Sequence, residues 1–364
     1  MIYFDNAATT PVLYSCDLWG NPSSPHARGI EAERAFFTAR GEIAEALGCD
    51  SEEVVFTSGG TESNNLAIFG ASKRFVKRGG HIISTPYEHP SVSRPIKSLA
   101  DAGVGVTFVP AGEIIGNIRE ETFLVSLVHI NNETGDVNEI ERIAAEIKKT
   151  KPEILVHSDG AQAFGKVKMN LCNIDLYSYS SHKIHGPAGV GGLMLKRGVK
   201  IQPLFFGGDQ QRGLRPGTEN LSGAVSTAEA AKRAIKEFDE RIEKVMQING
   251  IVSSLAGELP DTHINCGGGR VSPYILNMSF CGIKSETLVH ALSDKGICVS
   301  NASACHSKTR GKSSILDAMG FGRERSESAV RFSFSHLNTR EDAEAAKEIV
   351  ASTVNSLRGR VKSK

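Results

Sequence analysis

The sequence predicts an α/β protein: a larger part built on a mostly parallel sheet with helices on both faces, followed by a smaller α+β part. Short apolar or β-branched runs recur along the first two thirds, with helical patterns between several of them. The texture then changes near residue 222. A length of 364 residues is too long for one ordinary compact unit and suits two.

The predicted strands are VVFTS (54–58), HIIST (81–85), VTFVP (106–110), FLVSLVHI (123–130), ILVHSD (154–159), DLYSYS (175–180) and GGLMLK (191–196). Leu66, Phe69, Ala71 and Phe75 recur at helical intervals and predict a helix over 62–79. Ile140, Ile143, Ala144 and Ile147 predict another over 140–150. Strands alternating with helices imply parallel pairing with both sheet faces covered. From 222 to 248 the pattern reads as one long amphipathic helix able to bridge two domains. Strand-like LPDTHINCGG and SPYILNMSF, a helix near 285–295, GICVS, AVRFSFS and a helix from about 339 complete the smaller part. The expected division is 13–235 for the large domain, with 1–12 and 236–364 forming the small one.

Lys plus Arg number 42 against 41 Asp plus Glu, which argues against nucleic acid or an anionic membrane as the main partner. The basic tail Arg358, Arg360, Lys362 and Lys364 reads as a solvated end. Seven cysteines at irregular spacings include no C-x-x-C pair, against a zinc site or an exported disulfide framework and for a reducing compartment. The N-terminus shows no basic n-region or apolar h-region, and no apolar run reaches the roughly 18 residues of a span. The expectation is a soluble cytoplasmic protein.

Three strand ends carry chemistry. FTSGGTESNN (56–65) turns on two glycines into a helix, where free N–H groups and the macrodipole favour an anion. The same residues also suit a plain capped turn. Asp159 ends an apolar strand, either as a helix cap or as a carboxylate keeping a heteroaromatic nitrogen protonated. Lys183 follows another strand end, beside Ser180, Ser181 and His182, whose donors suit a phosphate. Lysine is disfavoured where burial is expected unless paired or used, so it reads as a surface cation or as a Schiff-base amine. Farther on, Cys305 stands among small polar residues with His306 and Lys308 nearby, a setting in which a thiol can ionise and attack.

Together these segments resemble the cysteine desulfurases of the NifS/IscS-like branch, pyridoxal phosphate enzymes of the fold-type I (aspartate aminotransferase-like) class. The likeness runs through YFDNAATTP (3–11), GNPSSPHARG (20–29), FTSGGTESNNLAI, EHPSV (88–92), NNETG (131–135), DGAQAFGK (159–166), SSHKIHGPAGVGGL (180–193), GGDQQRGLRPGTEN (207–220), SNASACHSKT (300–309) and VRFSFS (330–335). The resemblance implies pyridoxal 5'-phosphate joined to Lys183, with His89 stacked on its ring and active in acid–base steps. Asp159 would pair with the ring nitrogen and Gln162 with the ring hydroxyl, while Gly60, Thr61, Ser180 and His182 hold the phosphate. Thr218 would reach the partner subunit's phosphate in a homodimer. Asn132 and Arg331 would fix the substrate, Asn132 also touching the cofactor, and no metal is implied.

The implied reaction converts L-cysteine to L-alanine and leaves the sulfur as a persulfide on Cys305, for an iron–sulfur scaffold or a thio-modifying acceptor. The separation 305 − 183 = 122 residues suits the family's class with a longer cysteine loop, here in the small domain. Rival readings are a selenocysteine lyase or aminotransferase of the same fold, or a non-catalytic scaffold in sulfur assembly. The chain departs from relatives in four places: a short LYSCDLW (13–19) instead of a helix, a shortened 109–123 connection, Pro216 for serine, and Ser181 for glycine or alanine.

Overall fold

The computed structural model describes residues 1–73, 75, 76, 78–301 and 314–362, with side chains excepted at 314 and 360–362. The chain divides into two units: 11–130 with 138–236, and 1–10 with 131–137 and 237–364. The second thus includes an internal segment, 131–137, that sequence texture assigned to the large domain. The outer boundaries fall at 10/11 and 236/237 rather than 12/13 and 235/236.

The larger unit is organised by seven strands, β1 (Val54–Thr57), β2 (His81–Ser84), β3 (Gly105–Phe108), β4 (Thr122–Val128), β5 (Leu155–Asp159), β6 (Leu176–Ser180) and β7 (Gly191–Leu195). Their order across the sheet is β1-β7-β6-β5-β4-β2-β3. Only β7 runs antiparallel to its neighbours β1 and β6; every other pairing is parallel. Strands β1, β2, β4, β6 and β7 are buried at every residue, as a sheet covered on both faces requires, while the edge strand β3 is partly exposed.

Five helices cover the sheet: α1 (Ala27–Leu47), α2 (Gly60–Ser72), α3 (Pro90–Asp101), α4 (Ile140–Thr150) and α5 (Leu221–Lys236). Helix α4 buries Ile140, Ile143, Ala144 and Ile147, the stripe its periodicity predicts. Helices α1 and α5 pack together, and Ala32, Phe36 and Ala39 on one and Ala224, Ala228 and Ala231 on the other are buried in the same apolar cluster. Helix α2 stops at Ser72 instead of reaching 79; from the turn beyond it Phe75 stacks face to face on Phe123, centroids 4.1 Å apart.

The predicted long helix is two helices. Its second half is α6 (Phe238–Ser253), and Glu237 between them takes φ −101° and ψ 17°, outside the helical well. In the smaller unit β8 (Thr262–Ile264), β9 (Ile275–Phe280), β10 (Ser300–Asn301) and β11 (Ala329–Ser333) form an antiparallel sheet in the order β10-β11-β9-β8. Helix α7 (Ser285–Ser293) and helix α8 (Arg340–Lys362) pack together, and α8 also packs on α6. The N-terminal segment is bound in: Ile2–Tyr3 lies parallel to Ile297–Cys298, and Phe4 packs edge-on against Phe334 at 5.0 Å. Arg358 is not a solvated tail residue, since its guanidinium donates to the carbonyls of Pro260, Asp261 and Cys281. Arg360, Lys362 and Lys364 lie outside the described side chains. Among the described residues no helix is long and apolar enough to cross a membrane.

Candidate active site

Parallel sheets present ligand sites beyond the carboxyl ends of their strands, and the candidate residues of the larger unit gather there. Register sets Thr57, Gly191 and Ser180 side by side, and Val128, Asp159 and Ser178 side by side. Gly191 is required by close approach: a Cβ there would lie 2.6 Å from both Gly59 Cα and the Tyr179 carbonyl oxygen. Gly160 is required too, because a Cβ would fall 2.0 Å from the Tyr177 ring.

The turn after β1 starts α2. Gly59 takes φ 147°, and the Thr57 hydroxyl bonds both the Gly59 carbonyl (3.1 Å) and the Ser63 hydroxyl (2.8 Å). The first-turn amides of Gly60, Thr61 and Glu62 have no intrahelical partner by the geometry of a helix start. A Cβ on Gly60 would sit 3.6 Å from Ala161 Cβ and 3.7 Å from Ser180 Cβ, so this helix start faces the ends of β5 and β6. Glu62 closes the turn from outside, accepting from Ser58 N–H at 2.8 Å and pairing with Arg215 at 3.1 Å. Burial pushes its carboxyl up, but the Arg215 and Ser58 hydrogen bonds outweigh that and hold it below its ordinary range.

Lys183 ends a one-turn 3-10 segment, Ser181–Lys183, that follows β6. Ser181 is fully buried; its hydroxyl accepts from Thr227 at 2.8 Å, and Gly186 leaves it the space. His182 is pushed down to about 4, first by burial and then by the charges of Lys183 and Lys166, so at neutral pH it is an uncharged donor. Asp159 is 5% exposed and accepts two N–H groups, Ala161 N at 3.0 Å and Asn64 Nδ2 at 2.8 Å. Gln162 is buried, with Lys166 Nζ 3.5 Å from its Oε1. His89 caps α3, its Nδ1 accepting from Ser91 N–H at 3.1 Å with the Ser91 hydroxyl 2.7 Å away. Thr218 is exposed on the loop that carries Arg215, and that loop is pinned to β1 by the Gln211 side chain, which bonds both backbone groups of Phe56.

Arg331 and Asn132 come together in the smaller unit. The Arg331 guanidinium donates to the Asn132 carbonyl at 2.8 Å and to Asp5 at 2.9 Å. Among the described residues its buried Nε and the buried Asn132 Oδ1 find no partner, leaving a donor and an acceptor for a bound group. Cys305 lies outside the described residues.

Sequence reasoning missed four contributors. Asp5 sits in the quoted YFDNAATTP, but nothing local ties it to residue 331. Asn64 stood in the glycine-turn motif without a role, although it lies one helical turn beyond Gly60. Ser91 stood in EHPSV, two residues past His89, a spacing that suits an N-cap. Glu88 is buried against Thr85 Oγ1 (2.6 Å) and Val128 N–H (2.9 Å), and burial pushes it up to about 8 against the lowering effect of those two hydrogen bonds, with the Asp159 charge adding a smaller upward push.

The residues fit pyridoxal phosphate: an open helix start facing Ser180 for the phosphate, a doubly supported carboxylate for the ring nitrogen, and a lysine on the adjacent turn. Residues 2–346 match the model of the family Aminotransferase class-V. A "NifS/IcsS protein homolog" from Lactobacillus delbrueckii subsp. bulgaricus is 39% identical, the match covering 94% of each chain. "Cysteine desulfurase IscS" from Dictyoglomus turgidum is 33% identical over 98% of this chain and 95% of that one. A solved "NIFS-LIKE PROTEIN" superposes with a TM-score of 0.88 at 35% identity, covering 98% of this chain and 99% of its own. Both the strand-end site and the end-to-end similarity lead to one assignment: the chain belongs to the class-V aminotransferase family, in its NifS/IscS cysteine desulfurase branch.

Proposed function

We propose that this protein takes L-cysteine to L-alanine and carries the released sulfur as a persulfide on Cys305. The observation that carries the reading is the meeting, at one sheet edge, of the α2 start, Ser180 and the doubly supported Asp159, with Lys183 on the next turn. When bound, pyridoxal phosphate supplies an electron sink for the pair released from the substrate's Cα. Gly60 and Thr61 amides, Ser180 and His182 hold the phosphate, Asp159 keeps the ring nitrogen protonated, and Gln162 takes the ring hydroxyl. Lys183 Nζ would move the Cα proton, and His89 would serve in the acid–base steps. Arg331 and Asn132 hold the substrate carboxylate, in a planar geometry that lysine cannot match.

The Cys305 thiolate attacks the substrate sulfur: an S–S bond forms, the C–S bond breaks, and the carbon keeps the electron pair and is protonated to the methyl group of alanine. Cysteine and enzyme thiol thus give alanine and enzyme persulfide, with no outside oxidant. Delivery goes to a sulfur-acceptor protein such as an iron–sulfur scaffold. The working form is a homodimer in which Thr218 reaches the partner's phosphate, and the free state of Cys16, Cys49, Cys172, Cys266, Cys281 and Cys298 supports a cytoplasmic setting. The test is alanine production from L-cysteine by the protein loaded with pyridoxal phosphate. Cys305→Ser keeps the cofactor's colour and loses nearly all alanine; undiminished alanine from that variant removes the persulfide step.

A further inference from the structure

We infer that Asn64 and Ser91 are positioning residues, the links of a hydrogen-bond chain of fixed polarity that runs from Asp159 to His89 and sets His89 as the Nε2–H tautomer. The inference rests on the desulfurase reading and deepens it. The groups at each end of the chain fix its direction independently. A main-chain N–H can only donate, and that of Ser91 lies 3.1 Å from His89 Nδ1. Nδ1 therefore presents its lone pair, and in a neutral imidazole the one remaining proton is on Nε2.

At the far end a carboxylate that takes Ala161 N–H at Oδ1 has Asn64 2.8 Å from Oδ2. A carboxylate accepts only, so the Asn64 atom facing it is the NH2 group. The second proton of that NH2 goes to Ser91 Oγ at 2.8 Å. Having accepted there, the Ser91 hydroxyl turns its own proton to His89 Nδ1, 2.7 Å away, where it shares the one lone pair with the Ser91 N–H. Both ends demand the same polarity.

Burial makes this arrangement costly to alter. Asn64 is 1% exposed, Asp159 5% and Ser91 7%. Among the described residues Asn64 Oδ1 has no partner. Turning the amide over to satisfy that oxygen elsewhere would set it against Asp159, oxygen to oxygen, in a site with little water to screen them. A buried acceptor left unpaired asks for an explanation; here it is the by-product of spending both N–H groups of one amide on Asp159 and Ser91. Functionally, His89 offers an N–H at Nε2 and cannot serve as a base through Nδ1 while the link stands. It acts as a donor.

The test uses wild-type holoenzyme labelled with 15N-histidine, with His89 assigned by loss of its signals in His89→Gln, and two variants. The expected wild-type spectrum shows a bare Nδ1 and a protonated Nε2. Asn64→Leu, which keeps size and removes the donors, raises the Kd for pyridoxal phosphate by about tenfold to a hundredfold, the loss of one charge-assisted hydrogen bond. Ser91→Ala leaves the Asp159 contact in place, so its Kd stays within about threefold while the His89 nitrogens shift. Where Asn64→Leu fails to fold by circular dichroism, the wild-type spectrum and Ser91→Ala decide. A protonated Nδ1 in the wild type overturns the inference, as do folded variants with wild-type Kd and spectrum. Absence of alanine from the wild type, with these readouts as expected, would sink the desulfurase reading alone.

Discussion

Glu88 gives a quantitative test of how the site is insulated. It is buried with Thr85 and Val128 donating to one carboxyl oxygen, and the other finds no partner among the described residues. Burial pushes it up to about 8 from its ordinary 4.5. The folded state therefore holds a proton that the unfolded chain has already lost between those two values, and stability falls as pH rises through that window. Integrated from pH 5 to 8, the difference is roughly 3–4 kcal/mol at about 1.4 kcal/mol per unit. Glu88→Gln mimics the protonated form in shape and keeps one acceptor for Thr85 and Val128. Its stability relative to wild type should therefore grow by that amount over the window, as a lead in Tm of roughly 5 °C. Paired thermal melts of both proteins at pH 5, 6, 7 and 8 measure it. A difference that is flat with pH, or that shrinks as pH rises, refutes the assignment of a neutral carboxyl beside Asp159.

Arg331→Lys should raise KM for L-cysteine by about tenfold to a hundredfold, because one buried fork is replaced by a point charge that cannot serve Asn132, Asp5 and a substrate carboxylate together; steady-state alanine kinetics measure it. Gly191→Ala should destabilise by about 1–3 kcal/mol and weaken pyridoxal phosphate retention, since the new Cβ meets Gly59 and the Tyr179 carbonyl at 2.6 Å; Tm and cofactor absorbance after dialysis report both. Ser181→Ala removes one neutral hydrogen bond from Thr227, so a cost of about 1 kcal/mol with alanine output within about twofold is expected.

Much of the architecture was readable because its cause is local. Seven short apolar or β-branched runs, several with helical stripes between them, marked the strands, and Ile140, Ile143, Ala144 and Ile147 fall on the buried face of α4 that their spacing required. The break at Glu237 was not readable: no glycine or proline stands there, and the residues on both sides keep a helical pattern. For the same reason texture could not separate residues 131–137, which follow an apolar strand yet group with the smaller unit. In the site, strand-end residues such as Asp159 and Lys183 were visible because sheet geometry delivers strand ends to one edge. Partners contributed across long separations were not: Asp5 reaches Arg331 over 326 residues, and Asn64 reaches Asp159 over 95. Those pairings are set by tertiary packing, and Asp5 and Asn64 each look like ordinary turn or helix polar residues in isolation.

The amine of Lys183 is the group on which the proposed chemistry turns. Borohydride reduction of the holoenzyme, followed by peptide mass spectrometry, should place the cofactor's mass on Lys183 and should fail to do so after excess L-cysteine has been added first. A label on Lys166 or any other lysine, or labelling of Lys183 indifferent to L-cysteine, would contradict it.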